Sequence, residues 1–271
     1  MGACALVAAG VLAAACGEAA RTARGAFEPR TEGQLLVATD LPAPGFWRGE
    51  AADALDGGFE WALAHRLAER FDLDVGFVDV PLADILAGDL HGADVALAQV
   101  TATDDREDQL RFSAPYLDSS PAVLAPTEGD GDDIVDLATA RARRWAVVAG
   151  TPVAGFLDDT VQPDAGTRRV ADATAAADAV TAGRVDAALV ELPTALLLAG
   201  GTDDLAVVAR FDALTGIAAA LPDDGPAGNV VAVDKALAAL GADGTLDDLH
   251  DRWLSPAYAT DPGDVPVIRT R

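Results

Sequence analysis

The chain has 271 residues, 51% apolar and 23% charged, a composition that supports one large domain or two modest lobes with buried cores and excludes a disordered chain. Its 44 acidic and 19 basic residues give a formal net charge of −25, so its surface repels phosphate and nucleic acid is excluded as a partner. The acidic residues are spread along the chain, which reads as a solvated surface and does not by itself imply a cationic ligand.

The two cysteines, Cys4 and Cys16, both fall in the first 16 residues, so the body of the chain holds no disulfide, Cys-based metal site or Cys nucleophile. Residues 3–16 (ACALVAAGVLAAAC) form an uninterrupted small and apolar run. It is too short for a membrane-spanning helix, which needs about 20 apolar residues, and it suits the apolar stretch of a secretory signal. The run ends in Ala13-Ala14-Ala15-Cys16 followed by Gly17 and resembles the lipobox of bacterial lipoproteins, although Leu12 stands one place earlier than the usual leucine. That resemblance implies cleavage before Cys16 and a diacylglyceryl group on its thiol. Residues 1–16 are then a lipoprotein signal peptide and polar residues 17–33 a flexible tether.

Regular patterning starts at Gln34. Residues 35–39 are a short apolar run ending at polar Asp40 and predict a buried strand. Phe59, Leu63, Leu67 and Phe71, spaced four apart, form the apolar stripe of an amphipathic helix. Residues 75–80 and 94–100 predict further strands, and the alternation of strand and helix predicts a mainly parallel sheet covered on both faces. Residues 127–133 (TEGDGDD) read as a surface loop, after which 145–150 (WAVVAG) open a second strand–turn–helix series with strands at 186–191 and 206–210. Residues 92–97 (GADVAL) are echoed by 184–189 (RVDAAL), which points to two similar lobes. Towards the end, Val230, Val233, Leu237 and Leu240 share a helix face, with Gly241 suited to the position just past its end. Thr245 and Asp248 suggest a capping box opening a last helix whose face carries Leu246, Leu249, Trp253 and Leu254. The tail, residues 255–271, carries three prolines and is expected to drape over a lobe.

The chemistry concentrates in residues 93–116. A strand ends in a loop bearing Thr101 and Thr103, then Arg106, then Phe112-Ser113-Ala114-Pro115-Tyr116. Hydroxyls and free backbone N–H groups at the C-terminal end of a parallel strand lie where open α/β sheets bind ligands. Arginine adds a planar fork that grips a carboxylate through two parallel hydrogen bonds. Taken alone, an arginine in an acidic loop is more often a surface ion pair.

The larger pattern resembles the family 3 solute-binding proteins, the polar amino acid-binding group of ABC importers, from about Gln34 to Leu254. Six collinear blocks carry the resemblance: LLVATD (35–40), GGFEWALAHRLAERF (57–71), DVALAQVTATDDREDQLRFSAPY (94–116), WAVVAGTP (145–152), GRVDAALVELP (183–193) and ADGTLDDLHDRWL (242–254). It implies a periplasmic-binding-protein-like type II fold, two α/β lobes joined by two crossover segments near 119–126 and 210–217, with a ligand cleft between them. Lobe 1 would comprise 34–122 and 214–258, lobe 2 123–213, and residues 259–271 a C-terminal tail. The implied function is that of an extracytoplasmic, lipid-anchored monomer that binds an amino acid or similar zwitterion by hinge closure and delivers it to an ABC permease and its ATPase. Alternatives on the same fold are a dehydratase-like or cell-wall lytic enzyme and a ligand-sensing module. No cofactor or metal is expected.

The resemblance also implies residue roles. Arg106 would hold the ligand α-carboxylate, Thr101 would contribute its hydroxyl and N–H, and Glu191 would pair with the α-ammonium. Thr151, after Gly150, would cap the carboxylate from the other lobe with helix N-terminal N–H groups, and Asp40 matches an acid near the pocket mouth. The chain departs from the family pattern in carrying Ala43 and Leu82 where pocket aromatics are usual, so Trp47 or Phe46 is the expected replacement, with Trp47 counted among the ligand-binding residues. Pro152 removes one N–H donor, Glu191 is a methylene longer than the commoner aspartate, and Gln99 replaces a small residue and is expected to reach the pocket.

Other conspicuous residues read as structural. Trp61, Trp145 and Trp253 are expected in cores or on lobe surfaces. His65, His91 and His250 lie far apart without metal-ligand spacing. Asp104-Asp105 and Asp158-Asp159 read as solvated turn and helix-start residues.

Overall fold

The computed structural model describes residues 27–103, 106–128, 133–213 and 215–270. Cys16, the apolar run of residues 3–16, the first part of the expected tether and Asp104-Asp105 lie outside the described residues.

The first unit starts with strand β1 (Gln34–Thr39), helix α1 (Phe59–Phe71), β2 (Asp74–Asp79), the short α2 (Leu82–Leu86), β3 (Val95–Ala96) and the long β4 (Leu110–Ser119). The second unit follows with β5 (Pro121–Pro126), α3 (Leu137–Arg141), β6 (Trp145–Val148) and α4 (Pro152–Phe156), then β7 (Arg168–Val170), α5 (Ala173–Thr181), β8 (Ala187–Glu191), α6 (Leu192–Gly200) and β9 (Leu205–Phe211). The chain then returns through β10 (Thr215–Pro222), α7 (Gly228–Ala242) and α8 (Thr245–Trp253), and ends with β11 (Val267–Ile268).

These strands form two sheets, ordered β2-β1-β3-β10-β4 and β11-β9-β5-β8-β6-β7. Each has a parallel part, as the alternation of strands and helices predicts, and each also contains antiparallel crossover strands. In the first sheet, β10 runs antiparallel to β3 and β4; in the second, β5 runs antiparallel to β8 and β9. The echoed segments occupy equivalent places, since β3 lies between parallel β1 and antiparallel β10, and β8 between parallel β6 and antiparallel β5. The chain passes from the first sheet to the second at Ser120 and returns between β9 and β10. All of β5 therefore belongs to the second sheet, two residues earlier than the boundary expected from sequence.

The apolar stripe of α1 is buried at Phe59, Leu63 and Leu67 and packs with Leu237 and Leu240 of α7 over one face of the first sheet. A second cluster with Ala38, Ile85, Val95's neighbour Ala96 and Leu110 covers the other face. The second sheet is likewise covered on both faces, and its central strands β5, β6 and β8 are accordingly near-continuous apolar runs. Trp145 is fully buried there, with its indole N–H donating to the Ala140 carbonyl at 2.8 Å. Helix α1 begins at Gly58, whose φ of 111° and close backbone neighbours leave no room for a side chain: an added Cβ would lie 2.2 Å from the Phe46 carbonyl oxygen. The Phe59 and Glu60 N–H groups donate to the carbonyls of Gly45 and Phe46, which docks the turn after β1 onto the helix start.

Three local expectations are corrected. The segment from Phe27 to Gly33 is not a free tether but is docked on the first lobe. Phe27 stacks on Phe71 at 4.7 Å, Glu28 and Asn229 exchange hydrogen bonds, and the Arg30 N–H donates to Asp94. Helix α7 continues through Gly241 to Ala242. Thr245 is held by the Asp243 carboxylate, so the cap at the start of α8 is not a Thr245–Asp248 box. The tail adds β11 to the second sheet beside β9, with Val267 and Ile268 opposite Arg210 and Phe211. Among the described residues, no helix is long and apolar enough to cross a membrane.

Candidate ligand-binding cleft

The strand ends of the two lobes face each other across a cavity of about 160 Å³. Asp40, Phe46, Leu82 and Gln99 line it from the first lobe, and Thr151, Asp172, Glu191, Thr194 and Leu197 from the second. A wider mouth, sharing Leu82 and Thr151 with this cavity, carries Thr103, Arg106 and Gly150.

Thr101 follows β3 and bridges to Ile217 of β10, which fixes it beside the return crossover. Its hydroxyl donates to Glu191 Oε1 at 3.1 Å, and its carbonyl accepts from the Arg106 guanidinium at 2.7 Å. The same guanidinium donates across the cleft to the Gly150 carbonyl at 2.7 Å. Burial lowers the Arg106 pKa below the usual arginine value, and the negative charge of Glu191 opposes that shift. Arg106, Thr101 and Glu191 thus form one chain of contacts from lobe to lobe.

Glu191 ends β8 and sits where both crossovers meet. Its Oε2 accepts from Ser119, the last residue of β4, at 2.5 Å and from Thr215, the first of β10, at 3.1 Å. Thr151 caps the short α4, with Gly150 before it at φ 74° and Pro152 after it. Its hydroxyl donates to the Val148 carbonyl at 2.8 Å and accepts no N–H from the helix. Asp40 follows β1 and is half-buried in the cavity wall. Burial raises its pKa above the usual carboxylate range, a backbone contact with Leu82 opposes this, and the charges of Asp79 and Asp172 add to the rise.

The structure therefore brings Asp40, Gln99, Thr101, Arg106, Thr151 and Glu191 to one cleft. It does not bring Trp47 there. The indole is 2% exposed, and its N–H donates to Glu60 Oε2 at 2.7 Å and to the Leu97 carbonyl at 3.2 Å. A buried indole N–H needs an acceptor, and Glu60 supplies one inside the lobe, so the ring turns inward against Phe77. Phe46, one residue earlier, is the aromatic that lines the cavity. The sequence reading also missed Asp172, Thr194 and Leu197 in the wall, and the hydroxyls of Ser119 and Thr215 behind Glu191. The last two carried a signal, since both lie at the expected crossovers. Among the described residues, no group of three or more His, Cys, Asp or Glu side chains is arranged to hold a metal ion.

Two mixed α/β lobes, two crossovers and a cleft at the strand ends define the periplasmic-binding architecture of type II, and with it the class of solute-binding proteins. The chain belongs to the bacterial extracellular solute-binding proteins, family 3, whose profile matches residues 35–256. It is 30% identical over 238 residues to the L-cystine-binding protein TcyJ of Escherichia coli (strain K12), covering 83% of this chain and 84% of that protein. An ancestral amino acid-binding protein, a precursor of cyclohexadienyl dehydratase, superposes with a TM-score of 0.72 at 25% identity, covering 82% of this chain and 96% of that one. An amino acid ABC transporter substrate-binding protein from Streptococcus pneumoniae, bound to L-arginine, superposes with a TM-score of 0.72 at 24% identity, covering 83% and 95%.

Proposed function

We propose that this chain is the lipid-anchored binding component of an ABC importer and that it captures an amino acid or similar small zwitterion by closure of the two lobes. The observation that carries this reading is the convergence of Arg106 and Glu191, from opposite lobes, on one cleft, joined through Thr101. Among the described residues, only two of the five Arg106 N–H donors are engaged, and the planar fork that carries them suits a carboxylate. Glu191, held by three hydroxyls, is an acceptor for an ammonium group. Opposite charges at one cleft, Glu191 in the cavity wall and Arg106 at its mouth, match the two ends of an α-amino acid, and the L-cystine and L-arginine of the relatives belong to that class. A ligand with only one of the two charges would leave the other group desolvated and unpaired, which is costly. The anchor is Cys16, and the partners are a permease and an ATPase on the extracytoplasmic route into the cell.

The test is a thermal-shift panel of proteinogenic amino acids and related metabolites on residues 27–271, followed by calorimetry. A specific ligand raises the melting temperature by mass action. A panel in which no zwitterion shifts the transition while a compound lacking the α-ammonium or the α-carboxylate does would overturn the reading. Metabolic labelling with a radiolabelled fatty acid, lost in Cys16→Ala, tests the anchor separately.

A further inference from the structure

Resting on the amino-acid reading above, we propose that Gln99 is a specificity-determining acceptor in the cavity wall, held by the buried carboxylate of Glu60, and that it selects ligands whose side chains carry N–H donors.

Glu60 is fully buried in the first lobe, 0% exposed, at the start of α1. Its carboxylate has four donors and no cation: the Trp47 indole N–H at 2.7 Å, the Gln99 backbone N–H at 2.9 Å, the Gln99 carboxamide N–H and the Tyr116 hydroxyl. An ionised carboxylate only accepts, through about four lone-pair positions, so these four donors saturate it. A half-satisfied buried network would be destabilising, whereas a filled one fixes every member. Burial raises the Glu60 pKa, and the hydrogen bonds from Tyr116, Gln99 and Trp47 work against that rise.

The consequence falls on Gln99. Its backbone N–H and one N–H of its carboxamide donate to Glu60, and its backbone is held at φ 51°, a conformation uncommon for a non-glycine residue. Its carboxamide cannot turn over without placing a carbonyl oxygen against a carboxylate. The carboxamide's carbonyl oxygen and its second N–H are the atoms left uncommitted, and among the described residues no donor is directed at that oxygen, the one acceptor the Gln99 side chain can offer the cavity. Gln99 lines the cavity beside Phe46 and Ala98. A wall with a fixed acceptor favours an N–H-bearing side chain over an apolar one of the same length, because the apolar ligand leaves that oxygen buried without a partner. Glu60 touches no ligand in this scheme and acts only as a positioning residue.

The experiment compares wild type, Gln99→Leu and Glu60→Gln by calorimetry against L-lysine, L-arginine and L-glutamine on one side and L-norleucine and L-methionine on the other. Wild type is expected to bind its best donor-bearing probe at least tenfold tighter than the better apolar probe. Gln99→Leu is expected to shrink that ratio at least fivefold while keeping the apolar affinity within about threefold. Glu60→Gln, which lets the carboxamide turn, is expected to shrink the ratio in the same direction. Should Glu60→Gln fail to fold, Gln99→Leu decides alone. An unchanged ratio in Gln99→Leu, or an equal loss for every probe as a merely structural role predicts, overturns this proposal and leaves the amino-acid reading intact. Failure of all five probes to bind wild type overturns it together with the preference it rests on, and the wider panel above then decides the amino-acid reading.

Discussion

Replacing Arg106 by alanine removes the guanidinium that links Thr101 to Gly150 across the cleft. A hydrogen bond to a charged group contributes about 1.5–3 kcal/mol, and a bidentate carboxylate contact inside a closed cleft would approach the upper part of the 2–5 kcal/mol range for lost charge pairs. Arg106 lies at the cleft mouth and keeps some contact with solvent, so screening brings the expected loss to about 2–3 kcal/mol. At about 1.4 kcal/mol per decade, affinity for the ligand found in the panel should fall roughly 30- to 150-fold. Arg106→Lys should fall between the two, because the charge survives and the fork does not. Calorimetry reads the affinity, and the ligand-free melting temperature checks the fold, which should change little because Arg106 contributes to no hydrophobic cluster. An Arg106→Ala protein that melts like wild type and binds within twofold of it would refute the assignment of this guanidinium to the ligand carboxylate.

Glu191→Asp keeps the charge but is too short to hold Ser119 and Thr215 as Glu191 does, so it should bind at least tenfold more weakly than wild type in calorimetry. Gly58→Ala forces a Cβ to within 2.2 Å of the Phe46 carbonyl at a φ of 111°, and should cost about 2–3 kcal/mol, seen as a fall of about 5–10 °C in melting temperature. Asp186 has its pKa lowered, first by the side-chain hydrogen bonds from Arg144, so the stability it contributes is full above the unfolded carboxylate value near 3.9 and is lost as pH falls through the lower folded value. Urea melts should therefore show Asp186→Asn weaker by about 0.5–1 kcal/mol at pH 7, with the two proteins converging in strong acid.

Periodicity made the framework legible. The four-residue spacing of Phe59, Leu63 and Leu67 identified α1, and apolar runs at 35–39, 145–148 and 187–190 identified buried strands, because a chain buried on both faces of a sheet leaves little else it could be. The residues that matter by virtue of long-range pairing were less legible. Trp47 and Phe46 are adjacent aromatics, both buried in the first-lobe core, and only the fold shows that the Trp47 indole N–H is drawn to buried Glu60 while Phe46 also borders the cavity. Sequence places Glu60 on the apolar side of α1 as a lone acid, but the donors that neutralise its burial come from three distant segments. Asp172 is a helix N-cap with an ordinary local role, donating nothing and accepting from the Ala175 N–H, so its second position in the cavity wall is invisible without the fold.

The crossovers give the cleft its mechanical sense. Only Ser120 separates β4 from β5, β10 follows β9 by three residues, and the tail passes from α8 on the first lobe to β11 in the second sheet, so a rotation of one lobe against the other would be absorbed at the two crossovers and in the tail. Glu191 accepts from the residue just before the first crossover and from the residue just after the second. The carboxylate assigned to the ligand ammonium is thus tied to both pivots, and Thr101, which donates to it, carries the carbonyl that holds Arg106. A group that binds Glu191 competes for lone pairs with the hydroxyls at the hinge, while one that binds Arg106 competes with Gly150 on the opposite lobe. On the proposed assignments, ligand charge and lobe angle would be read by the same few atoms, and a molecule could shift the balance between open and closed only by as much as its contacts with them differ between the two.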